Sequence, residues 1–174
     1  EGSHPSYDWF YNRRNVNGYL GIPTYYFLEN LYSELSPVTI APDSILFQEI
    51  YNLYAANRDG AGGPYFSFNV TYQGHGPYDT EEVWRGDHYT DGRYSTETAN
   101  IVDNYLGSVA DTAEQLAVLV DRLRQEERPV VLVVFGDHKP WLGYSNSAYQ
   151  ELGVNLDTAT EEGFYNYYST RYLI

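Results

Sequence analysis

The stretch 129–140, PVVLVVFGDHKP, constrains the fold of this chain more than any other. Its run of valines, leucine and phenylalanine is typical of a strand buried on both faces, as in a parallel α/β sheet. Gly136 ends the run, and Asp137 and His138 follow at once. Ligand-binding groups in such sheets lie just beyond the carboxyl ends of the strands. These residues predict a strand with a functional tip; the alternative they leave open is that Asp137 only caps the next element.

The charge balance limits the partners of this chain. Ten basic residues face 24 acidic ones among 174, which gives a formal charge of −14 and fits one domain. Nucleic acid is excluded as a partner because no basic stripe is present to neutralise phosphates. An anionic substrate would need a metal ion or a few well-placed Arg and His side chains. The chain has no cysteine, so disulfide and thiol chemistry are absent.

Hydrophobic spacing predicts helices and strands that alternate along the chain. The expected helices are 12–20, 43–57 with Asp43 as N-cap, 96–126, 147–152 and 160–164. The expected strands are 65–72, 130–135 and 168–174. This alternation implies right-handed crossovers and a mostly parallel sheet covered by helices, which is the α/β class.

A second predicted strand ends in the same way as the first. The strand 65–72 leads into Gly74-His75-Gly76-Pro77, and the flanking glycines leave His75 in an exposed loop. If the strands are parallel, His75 lies at the same sheet edge as Asp137 and His138. A carboxylate beside an imidazole suits a divalent transition metal such as Mn or Zn. The two tips together favour a site over two unrelated turns.

A third cluster of chemically useful side chains lies at the front of the chain. It contains an arginine, a histidine and several aromatic residues: His4, Trp9, Tyr11, Asn12 and Arg13. The arginine fork matches a phosphate or sulfate group in a bidentate manner. An expression-tag remnant or a solvated arm is the alternative interpretation.

Taken in order, the three clusters resemble the lipoteichoic acid synthase and phosphoglycerol transferase family of the alkaline phosphatase and sulfatase superfamily. The resemblance extends over nearly the whole chain. Its matching pieces are HPSYDWFYNRRNVNGYLG, FNVTYQGHGPY, NYLGSVADTAEQLAVLVDRLRQEERPVVLVVFGDHKPWLG, and the closing FYNYYST and YLI. It implies an alkaline-phosphatase-like, three-layer αβα fold, of which residues 1–174 are the C-terminal portion of the catalytic domain.

The resemblance also implies roles for individual residues. Asp137 and His138 match the pair that binds the catalytic metal, usually manganese, with Zn, Mg or Ca as alternatives. His75 matches a histidine that contacts the glycerophosphate group. His4 and Arg13 match residues that bind the substrate phosphate. Tyr11 matches a residue that makes an aromatic contact.

The same family carries a threonine nucleophile, an acidic metal ligand and transmembrane helices before the region that resembles this chain. We therefore expect those parts upstream, and we expect the 174 residues alone to be inactive. The implied enzyme moves phosphoglycerol from phosphatidylglycerol to a polyglycerolphosphate or glycan acceptor through a covalent threonine intermediate. It would work at the bacterial cell membrane, with its catalytic domain outside the cytoplasm.

Two other functions remain open at this stage. One is a sulfatase or phosphodiesterase of the same superfamily that acts on a soluble substrate. The other is a non-catalytic domain that binds an anionic head group or glycan through its aromatic front. Turnover of aryl sulfates would favour the first, and metal-independent binding of glycerol phosphate would favour the second.

Overall fold

A computed structural model of the protein describes residues 12–36, 41–60, 63–84 and 88–174. The chain divides into two compact units, Glu1–Gln73 with Glu114–Leu123, and Gly74–Ala113 with Arg124–Ile174. The helix α4, Thr96–Leu123, contributes its first part to the second unit and its last part to the first.

The described part of the first unit is built from helices packed around a small apolar core. A π-helical turn, Leu28–Tyr32, leads directly into the second helix. The core side chains are Leu28, Tyr32, Ala41 and Leu46. The α-helices before α4 are α1, Arg13–Tyr19; α2, Ser33–Leu35; and α3, Asp43–Asp59.

Helix α3 begins at the predicted place but is capped differently. Asp43 is its first helical residue and Pro42 occupies the N-cap, so the prediction of Asp43 as N-cap is wrong by one position. The backbone N–H of Asp43 donates to Oε1 of Gln73 at 3.0 Å. A side chain from the end of the 65–73 segment thus satisfies one of the free N–H groups at the helix start.

The second unit packs short elements against the first part of α4. Its core side chains are Ile101, Val102, Leu142, Ala148 and Tyr149. Its further elements are β1, Val134–Phe135; a 3-10 turn, Tyr144–Asn146; α5, Ser147–Glu151; α6, Glu161–Tyr168; and β2, Tyr172–Leu173.

Two of the predicted helices have clear local causes. The predicted helix 96–126 is confirmed as α4, which buries one apolar face and ends at Leu123. Helix α6 begins after Thr160, whose hydroxyl accepts from the backbone N–H of Gly163 at 3.1 Å. This is the side-chain cap expected of a threonine at a helix start. None of the helices in the described part of the chain combines the length and apolar character needed to cross a bilayer.

The sheet differs from the predicted one. Across the described ranges the only ladder joins β1 to β2, and it is antiparallel, with Val134 opposite Leu173. The predicted strand 65–72 forms no ladder there. The backbone N–H and C=O groups of a strand need a neighbouring strand as hydrogen-bond partner. Two consecutive strands can pair in parallel only when a crossover connection joins them. An antiparallel edge strand also occurs on sheets that are otherwise parallel.

Apolar side chains of both predicted strands are exposed. Val131 is 79% exposed in the second unit, and Phe66 is 77% exposed in the first. The prediction of a strand buried on both faces is therefore wrong for residues 130–135 within these 174 residues. The hydrophobic pattern of these segments predicts burial, but none of the described elements packs over their exposed apolar side chains.

Candidate functional site

The Asp137-His138 tip follows directly on the short ladder of the second unit. The backbone N–H of Gly136 donates to the carbonyl of Arg171 at 3.2 Å, which extends the β1–β2 pairing by one bond. A Cβ atom on Gly136 would lie 3.4 Å from Cβ of Thr170, so this glycine permits close contact with the returning strand. The tip is therefore held on its N-terminal side by paired backbone.

Asp137 and His138 form a compact pair of donors. One carboxylate oxygen of Asp137, Oδ1, accepts from the backbone N–H of His138 at 2.9 Å. The other, Oδ2, lies 3.5 Å from Nε2 of His138. Both side chains are well exposed, at 70% for Asp137 and 61% for His138. The pair is open to a ligand from solvent.

The tautomer of His138 follows from its second contact. Its Nδ1 lies 2.8 Å from the backbone oxygen of Lys139, which can only accept, so Nδ1 carries a proton. In the neutral ring the Nε2 lone pair then faces Oδ2 of Asp137. Two acceptors this close repel each other unless a proton or a metal cation lies between them. Metal-binding histidines usually donate their other N–H to a carbonyl or carboxylate in this way.

The His75 loop meets this tip within the second unit. The ring centroids of His75 and His138 lie 6.2 Å apart with an interplanar angle of 84°. The two loops are in close contact at Gly76. A Cβ atom there would lie 3.4 Å from the carbonyl oxygen of Trp141 and 3.2 Å from Cε2 of Tyr78. The structure thus brings His75 next to the Asp137-His138 pair, although the described residues form no parallel sheet of the kind from which this proximity was expected.

Two tyrosines, the partly buried Tyr78 and the buried Tyr149, anchor the two loops. The hydroxyl of Tyr78 donates to the carbonyl of Gly74 at 2.7 Å, and the hydroxyl of Tyr149 donates to that of Pro140 at 3.0 Å. The ring of Tyr78 also packs edge-on against Tyr105 of α4. Burial raises the pKa of Tyr78 and raises that of Tyr149 to about 12, with neighbouring tyrosines adding to both. Both hydroxyls therefore remain protonated donors over the physiological range.

The donor set fits half of a metal site. Asp137 and His138 supply one oxygen and one nitrogen of the types that Mn or Zn accepts. Throughout the described ranges, no group of three or more His, Cys, Asp or Glu side chains is arranged to hold a metal ion. Protein metal sites of this kind use three or more ligands, so a complete site would need donors besides this pair.

The front cluster is only partly described. Arg13 is the first residue of α1 and is partly buried in the first unit. His4 and Tyr11 lie outside the described residues. Their predicted contacts with a substrate phosphate stay predictions.

A second Asp-His contact, between Asp103 and His88, was missed by sequence reasoning. Asp103 of α4 is 1% exposed, and its Oδ2 lies 3.3 Å from Nδ1 of His88. Asn100 and Asn104 are buried on the same helix. Polar residues three and four positions apart share one helix face, so this spacing was the available signal.

Comparison with known proteins supplies a family and one relative. The family model of the sulfatases matches residues 2–164. A protein of Rhizobium meliloti (strain 1021), named provisionally for cyclic beta-1,2-glucan modification, is 29% identical over 150 residues. The match covers 85% of this chain but only 23% of that relative. No solved structure matches the chain significantly.

Proposed function

Since this chain belongs to the sulfatase family, whose members have an α/β, alkaline-phosphatase-like fold, we propose that it forms part of a phosphoglycerol transferase that modifies a glycan. Proteins of this family are typically enzymes. The observation that carries the proposal is the convergence of Nε2 of His138 and Oδ2 of Asp137 at 3.5 Å, with the ring of His75 beside them.

In the proposed reaction the side chains of this chain hold the metal and the phosphate. Asp137 and His138 supply two metal ligands, and manganese is the metal we propose. When bound, the metal supplies Lewis-acid polarisation of a phosphoryl oxygen. His75 contacts the phosphoglycerol group, and His4 and Arg13 bind its negative charge, with Tyr11 packing against it.

The proposed chemistry has two balanced steps. A threonine hydroxyl attacks the phosphorus of phosphatidylglycerol, the bond to the diacylglycerol oxygen breaks, and that oxygen takes up a proton. An acceptor hydroxyl then loses its proton and attacks the same phosphorus, the bond to the threonine oxygen breaks, and that oxygen takes up a proton. We propose that the threonine and an additional acidic ligand are contributed by polypeptide outside these 174 residues. Two points support this: the tip provides only two donors, and the relative is much longer than the matched region.

The acceptor we propose is a glucan rather than polyglycerolphosphate. The support is the name of the relative, which refers to cyclic beta-1,2-glucan. A phosphatidylglycerol donor and such an acceptor meet at the outer face of the bacterial cytoplasmic membrane, which is the location we propose.

The test is a transfer assay on the natural protein that contains this chain, with phosphatidylglycerol as donor, cyclic beta-1,2-glucan as acceptor and Mn²⁺ present. We expect transfer that is abolished by Asp137→Ala and by His138→Ala. The control is Asp59→Ala, since Asp59 is an exposed residue at the end of α3. Unimpaired transfer by the Asp137→Ala variant would contradict the proposed role of the tip.

A second candidate is a sulfatase that acts on a soluble substrate, which the family description favours. The same protein would then hydrolyse an aryl sulfate such as 4-nitrocatechol sulfate and leave phosphatidylglycerol intact. Parallel assays with the two substrates separate the two reactions, because both depend on Asp137 but only one releases diacylglycerol.

A further inference from the structure

Residues 79–84 and 88–90 have no regular secondary structure, yet buried polar side chains of α4 fix their backbone. Asn104 donates from Nδ2 to the carbonyl of Glu82 at 2.8 Å, and its Oδ1 accepts from the backbone N–H of Trp84 at 2.7 Å. Asn100 donates to the carbonyl of Thr80 at 2.9 Å. Both asparagines are less than a tenth exposed, so water does not compete with these bonds.

Asp103 fixes the other end of the same segment. Its Oδ1 accepts from the backbone N–H groups of Tyr89 and Thr90 at 3.0 and 2.9 Å, and its Oδ2 lies near the Thr90 hydroxyl and the His88 ring. Because Asp103 and Asn104 are adjacent on α4, they hold the backbones of Trp84 and Tyr89 at the same level of the helix. The described parts of this loop, residues 79–84 and 88–90, are therefore preorganised by their attachment to one helix.

The anchored loop presents polar and aromatic side chains to solvent. Trp84 is 73% exposed, Tyr89 is 46% exposed and the side chain of His88 is 77% exposed. The carboxylate of Asp103 can only accept, so Nδ1 of His88 donates to it and Nε2 is left as an acceptor. Exposed aromatic residues on a fixed backbone lose little conformational entropy when they bind a ligand.

The charge of the segment selects the chemistry of that ligand. Residues 79–94 contain five acidic residues and two arginines. One of the arginines, Arg93, donates from Nε to Asp91 at 2.6 Å and is thereby neutralised. An anionic polymer would be repelled by such a segment. A neutral sugar meets no such repulsion, since its C–H faces stack on aromatic rings and its hydroxyls donate to acceptors such as Nε2 of His88.

We propose that Trp84, His88 and Tyr89, here called the aromatic surface, bind a neutral glucan as the acceptor subsite of this protein. The inference rests on the proposed function, because it names where the acceptor of the transfer reaction is held. The aromatic rings stack on glucose units, and His88 accepts a hydrogen bond from a glucan hydroxyl. Asp103 and Asn104 are positioning residues that act through the loop.

The position of the aromatic surface suits an acceptor subsite. It lies in the same unit as the Asp137-His138 tip. The chain runs from His75 through the anchored Tyr78 into the loop, and Trp84 lies nine positions after His75. Their Cα atoms are thus at most about 32 Å apart. A glucan of several units can lie on the aromatic surface and extend a hydroxyl towards the tip.

The test is calorimetric titration of the 174-residue chain with neutral cyclic beta-1,2-glucan, without added metal. We expect Trp84→Ala and Tyr89→Ala each to weaken binding about tenfold or more, as truncation of a central aromatic contact does. The matched control is Tyr19→Ala, since Tyr19 is 91% exposed in the first unit. Binding weakened equally by the control, no binding at millimolar glucan, or preferential binding of polyglycerolphosphate would each overturn the proposal.

A second variant tests whether glucan binding requires the fixed backbone of the loop, and not only the exposed aromatic side chains. Asn104→Ala leaves the aromatic side chains in place but removes the bonds that hold Trp84. We expect faster hydrogen exchange of the amides of Trp84 and its neighbours, and weaker glucan binding. Unchanged binding with accelerated exchange would show that preorganisation plays no part and would overturn that element of the proposal.

Failure of this inference and failure of the proposed function are distinguishable. Glucan binding needs no metal, so Asp137→Ala leaves it unchanged while abolishing transfer. Transfer to glucan that is unaffected by Trp84→Ala and Tyr89→Ala overturns the acceptor subsite alone. Glucan binding that depends on both aromatic residues, without phosphoglycerol transfer by the natural protein, supports the subsite and contradicts the proposed reaction.

Discussion

The rings of His75 and His138 lie 6.2 Å apart between centroids and are nearly perpendicular. Each ring has its Nδ1 next to a backbone oxygen, that of Gly76 for His75 and that of Lys139 for His138. In both rings Nδ1 is therefore the donor to that oxygen. Two loops that are distant in sequence thus present similar imidazole groups at one place in the second unit.

Metal binding by the 174-residue chain should depend on the Asp137-His138 pair. We expect Asp137→Ala and His138→Ala each to weaken Mn²⁺ binding by at least about tenfold, because loss of even a group that only orients a ligand has effects of this size. Titration followed by electron paramagnetic resonance of free Mn²⁺ measures the affinity. Asp59→Ala should leave the affinity unchanged, and an equal loss in that variant would point to nonspecific binding by surface carboxylates.

Gly76→Ala should disturb the junction between the two loops. The new methyl group would lie 3.2 Å from the ring of Tyr78 and 3.4 Å from the carbonyl oxygen of Trp141. We expect a loss of about 1–3 kcal/mol in the free energy of unfolding, as overpacking usually causes. Urea denaturation measures it. Gly18→Ala in α1 is the control, since nothing lies within 4 Å of the added atom and alanine favours helix.

Tyr149 should make stability depend on alkaline pH. Its pKa is raised from 10.0 to about 12, chiefly by burial, so the folded state holds the phenolic proton more tightly than the unfolded state. The resulting stability is fully present below pH 10 and is lost as the pH rises through 12. Denaturant midpoints across this range should fall less steeply for Tyr149→Phe than for the parent protein.

The same substitution has a second effect near neutral pH. Tyr149→Phe removes the donor to the carbonyl of Pro140, which should cost about 1 kcal/mol at pH 8. Tyr165→Phe is the matched control because Tyr165 is 60% exposed. A parallel fall of the midpoints of all three proteins between pH 10 and 12 would contradict the assignment to Tyr149.

Glu151 should contribute to stability in the opposite pH range. Hydrogen bonds from Thr98 and Ser95 at the start of α4 lower the pKa of its carboxyl group. The stability this provides is present above the unfolded pKa, about 4.5, and is lost as the pH falls through the lowered folded value. Thermal unfolding should thus depend less on pH below 5 in Glu151→Gln than in the parent. The exposed Glu114 on the same helix provides the control, Glu114→Gln, which should retain the parental slope.

Two apolar substitutions in the second unit should differ in their effect on the free energy of unfolding, because only one removes a buried side chain. Leu142 is 4% exposed in the core, so Leu142→Ala should cost about 2–5 kcal/mol of unfolding free energy. Val131 is 79% exposed, and Val131→Ala should change stability by no more than about 0.5 kcal/mol. Chemical denaturation of the 174-residue chain measures both. A large loss for Val131→Ala would show that the face of residues 130–135 is covered in solution.

Local signals in the sequence were sufficient for α4 and for the start of α6. The apolar face of α4 and the cap provided by Thr160 depend on residues within a few positions, so their spacing can be read directly. The pairing of β1 was not predictable in this way. The apolar run 130–135 indicates a buried strand, but only the arrival of Leu173 beside Val134 decides that its partner is antiparallel.

The candidate site shows the same division. Sequence alone determined that Asp137 and His138 follow a strand and that His75 stands between glycines. Only the tertiary structure decided that the two tips meet, because this depends on the close approach of Gly76 to Trp141. The buried carboxylate of Asp103 and the loop it holds were also decided by tertiary structure, since its partners lie 13 to 15 residues away. The spacing of polar residues on α4 indicates a shared helix face, but only packing decides which backbone groups that face binds.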